Sequence, residues 1–169
     1  MRSYDTPMLH NFHEEQLAHS EAEVKYIDSY SKLVGSLLYL SNRTRPDISL
    51  ATSLLAQHMT KPNEFLMKAA NRVVGYLKKT NNYGLEYIRK DEKFSLYFYV
   101  DADFGGDQQT RKSRTGWQGF LNGNIFTWII QRQQSTALST AESEYVAISE
   151  CYKEVKRVRL ILSELGMNM

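Results

Sequence analysis

The stretch Phe94–Asp101, FSLYFYVD, decides the fold of the second half of the chain. Leu96, Phe98 and Val100 alternate with two tyrosines, and this period of two is typical of a β-strand. Both faces of the strand would be apolar or aromatic, which favours a central strand that is covered on both sides. Asp101 would then end the strand with a partly buried carboxylate. The alternative is an aspartate that only starts the next turn.

Further strands surround this one. Leu85–Ile88, Gly116–Leu121 and Ile125–Ile130 are rich in β-branched and aromatic residues. Asn122-Gly123 predicts a tight hairpin between the last two, because both turn positions need positive φ. A further turn is predicted at Lys90-Asp91-Glu92. One long helix follows, over about 140–165, between a Ser139/Glu142 capping box and a stop at Gly166.

The sequence of the first half of the chain predicts three helices. Asp28 or Ser29 can cap the first, Pro46 suits the first turn of the second, and Asn63 can cap the third. Apolar residues at three- and four-residue spacing define their buried stripes. The stripe of the first helix is Tyr30, Leu33, Val34, Leu37 and Leu38, that of the second is Ile48, Ala51, Leu54, Leu55 and Met59, and that of the third is Ala69, Ala70, Val73 and Leu77. We therefore predict an α+β chain with an extended lead-in over 1–28, a helical segment over 29–90 and a meander-plus-helix domain over 91–169.

Composition excludes some classes of protein. The 169 residues carry a formal net charge of +2, which neither demands nor excludes a nucleic-acid partner. The single cysteine, Cys151, rules out an internal disulfide. We find no signal peptide and no apolar run of membrane-spanning length. The expectation is an intracellular protein, cytoplasmic or nuclear, without a membrane partner.

Glu144 is the acidic residue of the last helix that needs a partner. At about 100° per residue, it falls near the middle of an apolar face, whereas Glu142 falls on the opposite side. That face comprises Ile148, Cys151, Val155, Val158, Leu162 and Leu165. A buried carboxylate is costly unless it is paired, protonated or bound to metal. Glu144 could bind a cation or pair with Arg111 or Arg114.

Asp101 and Glu144 could share a divalent cation. Magnesium binds a few carboxylates together with water and phosphate oxygens, and two such ions support phosphodiester hydrolysis. The two acids could equally form an acid pair or a structural network. Basic side chains that could contact phosphates follow the first strand and end the third, although such residues are more often solvated. They are Arg111, Lys112, Arg114 and Arg132.

Several stretches, in order, resemble the Pol polyprotein of copia-type retrotransposons. Residues 100–107 (VDADFGGD) and 110–117 (TRKSRTGW) resemble the opening of that family's ribonuclease H domain, and 137–147 (ALSTAESEYVA) resembles its first helix. The connecting segment that follows the family's reverse transcriptase is resembled by three upstream stretches, residues 33–40, 44–48 and 69–78. Thr6-Pro7-Met8 resembles a short motif that precedes this connecting segment.

The resemblance implies a function for both acids. Asp101 matches the first catalytic aspartate and Glu144 the catalytic glutamate, so both would be Mg²⁺ ligands. The substrate would be the RNA strand of an RNA–DNA hybrid. The fold would be a helical connecting segment followed by a partial ribonuclease H-like domain. Arg114 and Ala141 depart from the residues common at their positions, without touching the acids.

The family's third catalytic aspartate lies on a strand that would follow Met169, and its polymerase palm would precede this chain. We therefore expect little or no nuclease activity from the 169 residues alone. The alternative is a domesticated, non-catalytic interaction protein or host-directed effector. Such a protein could self-associate through an exposed sheet edge.

Overall fold

The computed structural model of the chain describes residues 3–12, 21–89, 94–107 and 109–167. The chain divides into two compact units, Met1–Leu85 and Glu86–Met169. The boundary between the two units thus lies a few residues before the predicted one at residue 90. The first unit is helical and the second combines a sheet with a helix, so the α+β class is confirmed.

The helical unit contains the three predicted helices. α1 spans Ile27–Arg43, α2 spans Ser49–Ala56 and α3 spans Glu64–Lys79. A short 3₁₀ turn, Pro46–Ile48, leads into α2 and has its proline in the first turn, as predicted. The α3 cap is confirmed, because the Asn63 side chain accepts the Leu66 amide at 2.8 Å.

The predicted stripes form the core of this unit, and residues before α1 add to it. Phe12 is 2% exposed and stacks with Phe65 at 5.7 Å between ring centroids. Arg72 donates to the carbonyl and hydroxyl oxygens of Thr6 at 3.2 and 2.9 Å. The part of the lead-in described here is therefore packed against the helices. The sequence did not indicate this, because so short a polar segment shows no period.

The second unit is an antiparallel meander followed by a helix. β1 spans Leu96–Asp103, β2 spans Arg114–Leu121, β3 spans Asn124–Arg132 and α4 spans Thr140–Glu164. The strand order is β1-β2-β3. The predicted hairpin is confirmed, since Asn122 and Gly123 have φ angles of 48° and 77°. Gly166 (φ 76°) ends α4 as predicted.

Two strand predictions were wrong. Leu85–Ile88 is not a strand; the Asn124 side-chain amide instead accepts from the Ile88 amide and donates to the Ile88 carbonyl, at 2.8 and 3.0 Å. The hydrogen bonds at Ile88 thus come from the Asn124 side chain and not from the backbone of a neighbouring strand. β1 is also an edge strand within the described sheet rather than a central one. The predicted turn at Lys90-Asp91-Glu92 lies outside the described residues.

α4 covers the face of the sheet that carries Ala102, Thr115 and Gln131. Gln131 Nε2 donates to Glu150 Oε2 of α4 at 3.0 Å, and Thr115 is fully buried. The other face, with Tyr97 and Tyr99, stays exposed. β1 is therefore covered on one side only, which corrects the expectation of two covered faces.

The buried side of α4 is rotated from the predicted one. It consists of Ser143, Ala147, Cys151, Val158 and Leu162. Of the apolar residues assigned to it, Ile148 is 53% exposed and Leu165 is 69% exposed. Small side chains at 143 and 147 let the helix approach the strands closely, which the apolar count alone could not indicate. No helix in the described ranges is both long and apolar enough to span a lipid bilayer.

Candidate active site

Asp101 lies inside β1, because the strand continues to Asp103. Its register partner on β2 is Gly116. Successive strand residues point to opposite faces, so Asp101 shares the open face with Tyr99, while Ala102 is buried on the α4 side. The Asp101 side chain is exposed and forms no hydrogen bond or ion pair with any residue that the structure describes.

Glu144 lies in the first turns of α4 and is half-buried. Because the buried side of the helix is centred on Ser143 and Ala147, Glu144 sits at its margin rather than in its middle. Neither a hydrogen bond nor an ion pair engages the Glu144 carboxylate within the described part of the chain. The alternative pairing with Arg111 or Arg114 is therefore not seen.

The two acids are thus carried by different elements of the second unit, β1 and α4. Asp101 is on the open face, and α4, which carries Glu144, packs on the other. Among the described residues, no three His, Cys, Asp or Glu side chains cluster in a way that could hold a metal ion. Two carboxylates supply only part of the Mg²⁺ coordination shell, and water, phosphate oxygens or further acidic ligands would complete it.

Asp107 organises the loop that follows β1. Its Oδ1 accepts the amides of Gln109 and Thr110 at 3.1 and 3.2 Å, and its Oδ2 accepts Arg132 Nη1 at 2.6 Å. Burial alone would raise the pKa of the Asp107 carboxyl. The bonds from Arg132 and Thr110 outweigh burial and lower that pKa to about 2. Asp107 therefore shapes the loop.

This lowered pKa predicts an acid-sensitive loop. The Asp107 pKa falls from 3.8 to about 2 on folding, so its contribution to stability is complete above pH 4 and is lost as the pH drops toward 2. We expect about 2 kcal/mol of unfolding free energy to depend on this group. Urea unfolding followed by tryptophan fluorescence at several pH values measures it.

The matched variants are Asp107→Asn and Asp101→Asn. The first should remove most of the pH dependence between 4 and 2. The second removes an exposed carboxylate of the same unit that forms no ion pair, and it should leave the pH dependence of stability unchanged. An unchanged acid dependence in Asp107→Asn would contradict this assignment.

The four predicted phosphate contacts differ in availability. Arg111 is exposed and Lys112 is half-buried, both in the loop after β1. Arg132 is held by Asp107, and Arg114 is 5% exposed. Burial lowers the pKa of the Arg114 guanidinium, and the charges of Asp107 and Asp103 offset part of that effect. Arg111 and Lys112 are thus better placed to meet a phosphate than the two strand arginines.

A row of charges crosses the open face near Asp101. Asp103, Arg114 and Arg132 are direct register partners across β1, β2 and β3. Gly106 follows in the loop, and a β-carbon there would collide with the Asp103 carboxylate. The backbone of this loop can therefore approach Asp103 only where no side chain is present.

Gln133, just after β3, is a buried structural residue. It is 1% exposed, and its Nε2 donates to Thr115 Oγ1 at 3.1 Å and to the Ser143 carbonyl at 2.9 Å. It therefore joins the sheet to the helical turn that carries Glu144. The local sequence did not indicate this, because Ile129 and Ile130 are both apolar and do not distinguish the two faces of the strand.

Comparison with known proteins gives a consistent group of relatives. The chain is 35% identical over 83% of its length to the retrovirus-related Pol polyprotein from transposon RE1 of Arabidopsis thaliana. It is 36% identical over 82% of its length to that from transposon TNT 1-94 of Nicotiana tabacum. It spans only 9% and 10% of those two polyproteins.

A third relative has a different description. The chain is 39% identical over 74% of its length to the secreted RxLR effector protein 161 of Plasmopara viticola and covers 87% of that protein. No protein-family profile matches the chain. No solved structure matches it either.

Proposed function

The chain belongs to the family of copia-type retrotransposon Pol polyproteins, and we propose that it is the part where the reverse transcriptase connecting segment meets a ribonuclease H-like domain. Asp101 and Glu144 would then supply two of the acidic ligands of the nuclease centre. In the full polyprotein the substrate would be the RNA strand of an RNA–DNA hybrid.

The order of elements supports this proposal most strongly. An acid lies near the end of the first strand of a three-stranded meander, and a second acid lies in the opening turns of the helix that follows. The carboxylate oxygens of Asp101 and Glu144 accept no hydrogen bonds from the described residues, so they are available to bind a cation.

The same geometry predicts that the 169-residue polypeptide does not cleave by itself. Mg²⁺, when bound, would activate a water molecule and stabilise the charge on the phosphate. Among the described residues, neither Asp101 nor Glu144 belongs to a group of three or more acidic, histidine or cysteine side chains that could hold a metal ion. The role of the chain's own residues is therefore limited to presenting two ligands of a larger set.

A cleavage assay tests this prediction. The purified chain, Asp101→Asn and Glu144→Gln are incubated with a labelled RNA–DNA hybrid and Mg²⁺, alongside an active ribonuclease H. We expect the chain and both variants to give the same background, at least about a thousandfold below the active enzyme, because two carboxylates leave the second metal unplaced. Cleavage by the chain that either substitution abolishes would show a working centre and overturn the prediction.

The second candidate is an interaction protein or host-directed effector that has kept the fold without the catalysis. The similarity to the secreted Plasmopara viticola protein favours it, since the chain covers 87% of that protein. Recovery of the chain from the medium of cells that express it, rather than from the cells, would favour this candidate. Retention in the cells would count against an effector role.

A further inference from the structure

An apolar stripe lies at the surface of α4, where Lys156 of the same helix is 5.7 Å from the centre of its Tyr152 ring. Tyr145, Ile148 and Tyr152 are 74%, 53% and 58% exposed, and the half-buried Val155 continues their line. On a helix of about 100° per residue, this stripe lies roughly a quarter turn from the residues that pack on the sheet. Contiguous apolar side chains at the surface of a helix indicate an interaction site.

The spacing of the stripe is that of a coiled coil. Tyr145, Ile148, Tyr152 and Val155 are separated by three, four and three positions, which is the spacing of two heptads. Each half of the stripe contains one tyrosine and one aliphatic residue. In an antiparallel pair of such helices, Tyr145 would face Val155 of the other copy, and Ile148 would face Tyr152. Every layer would then combine a large ring with an aliphatic side chain.

The charges beside the stripe are complementary to the same arrangement. Glu142 and Lys156 are both exposed and lie on the same flank, two heptads apart. In an antiparallel pair, residues of this flank face each other, so each Glu142 would meet Lys156 of the other copy. In a parallel pair this flank would instead face the other flank of the partner helix, so Glu142 and Lys156 would not meet. The charge pattern therefore complements the antiparallel orientation.

We propose that α4 pairs with α4 of a second copy of this chain in an antiparallel, two-fold symmetric contact. A two-fold interface requires one patch that complements itself, and this stripe and its flank meet that requirement. The contact is distinct from the β1 edge, which lies in the sheet. Two heptads bury less than the roughly 800 Å² per partner of a standard interface. We therefore expect a reversible dimer with a Kd on the order of tens of micromolar.

Sedimentation velocity of the full 169-residue chain over a concentration series tests the proposal. The parent chain should dimerise, and Ile148→Glu, which places two carboxylates at the centre of the contact, should weaken the dimer at least about tenfold. Leu160→Glu is the matched control, because Leu160 is 65% exposed on the same helix but outside the stripe. A chain that stays monomeric at several hundred micromolar overturns the proposal. So does a dimer that survives Ile148→Glu, which would indicate another surface such as the β1 edge.

A charge swap tests the orientation independently of any loss of folding. Glu142→Lys and Lys156→Glu should each weaken the homodimer. An equimolar mixture of the two variants should dimerise again, because both flank pairs then join opposite charges. Circular dichroism checks that α4 stays helical, since the Glu142 carboxylate also accepts the Leu138 amide at 2.6 Å. A mixture that dimerises no better than the separate variants, although both are folded, rules out the antiparallel pairing.

Discussion

Replacing Arg45 with methionine should lower the unfolding free energy of the helical unit by about 3 kcal/mol. Arg45 is 8% exposed, and its Nε and Nη2 donate to the two oxygens of Asp47 at 2.9 and 2.8 Å. Its Nη1 donates to the Thr80 carbonyl at 3.0 Å. The substitution keeps much of the apolar volume but leaves the Asp47 carboxylate and the end of α3 without these donors. Tyr76, which donates to Asp47 at 2.9 Å, offsets only part of the loss.

Urea unfolding followed by circular dichroism at 222 nm measures this effect. Both tryptophans, Trp117 and Trp128, belong to the second unit, so their fluorescence reports on a part of the chain that the substitution does not touch. Arg43→Met removes an exposed arginine from the same region and should change the stability by less than about 0.5 kcal/mol. Equal losses for Arg43→Met and Arg45→Met would show that the Arg45 network contributes little.

The second large effect is expected at Gly119 of β2. A β-carbon there would lie 2.5 and 2.8 Å from two ring atoms of Phe98 and 2.8 Å from Thr127 Cγ2. Phe98 and Thr127 flank Gly119 on the neighbouring strands, so the added methyl cannot be accommodated by moving one side chain. Gly119→Ala should therefore destabilise the second unit by about 1–3 kcal/mol through overpacking.

Gly116→Ala provides the control in the same strand. The nearest atom to a β-carbon at Gly116 is Ile130 Cγ1 at 4.0 Å, which is an ordinary contact. This substitution should be neutral or stabilise slightly, because alanine restricts the unfolded chain more than glycine does. Tryptophan fluorescence during urea unfolding follows both variants. The prediction is contradicted if the Gly119→Ala variant is as stable as the Gly116→Ala variant. Adding Phe98→Leu to Gly119→Ala should recover part of the loss, since the shorter side chain makes room.

Local chemistry made much of the fold predictable. The caps at Asn63 and Ser139 and the hairpin at Asn122-Gly123 depend on a few neighbouring residues, so they can be read directly from the chain. Pro46 likewise specifies the start of its turn. In contrast, Leu85–Ile88 has strand composition but is not a strand, because pairing depends on a neighbour that local composition cannot supply.

The candidate site was predictable in identity but not in arrangement. Asp101 and Glu144 could be selected from motif and periodicity, yet the exposure of Asp101 and the half-burial of Glu144 depend on which face of the sheet α4 covers. The engagement of Arg132 by Asp107 is also nonlocal, since 25 positions separate the two residues. The sequence near Arg132 does not indicate that its guanidinium donates to the Asp107 carboxylate.

By itself the sequence determined the helices, the meander, the turn types and the acidic and basic residues, because each follows from contacts within a few positions along the chain. Only the tertiary structure decided the rotation of α4 toward Ser143 and Ala147, the exposure of Ile148 and the burial of Gln133. These features depend on how closely a helix can approach a particular sheet. Side-chain size at several distant positions sets that distance together, and no single stretch of sequence contains it.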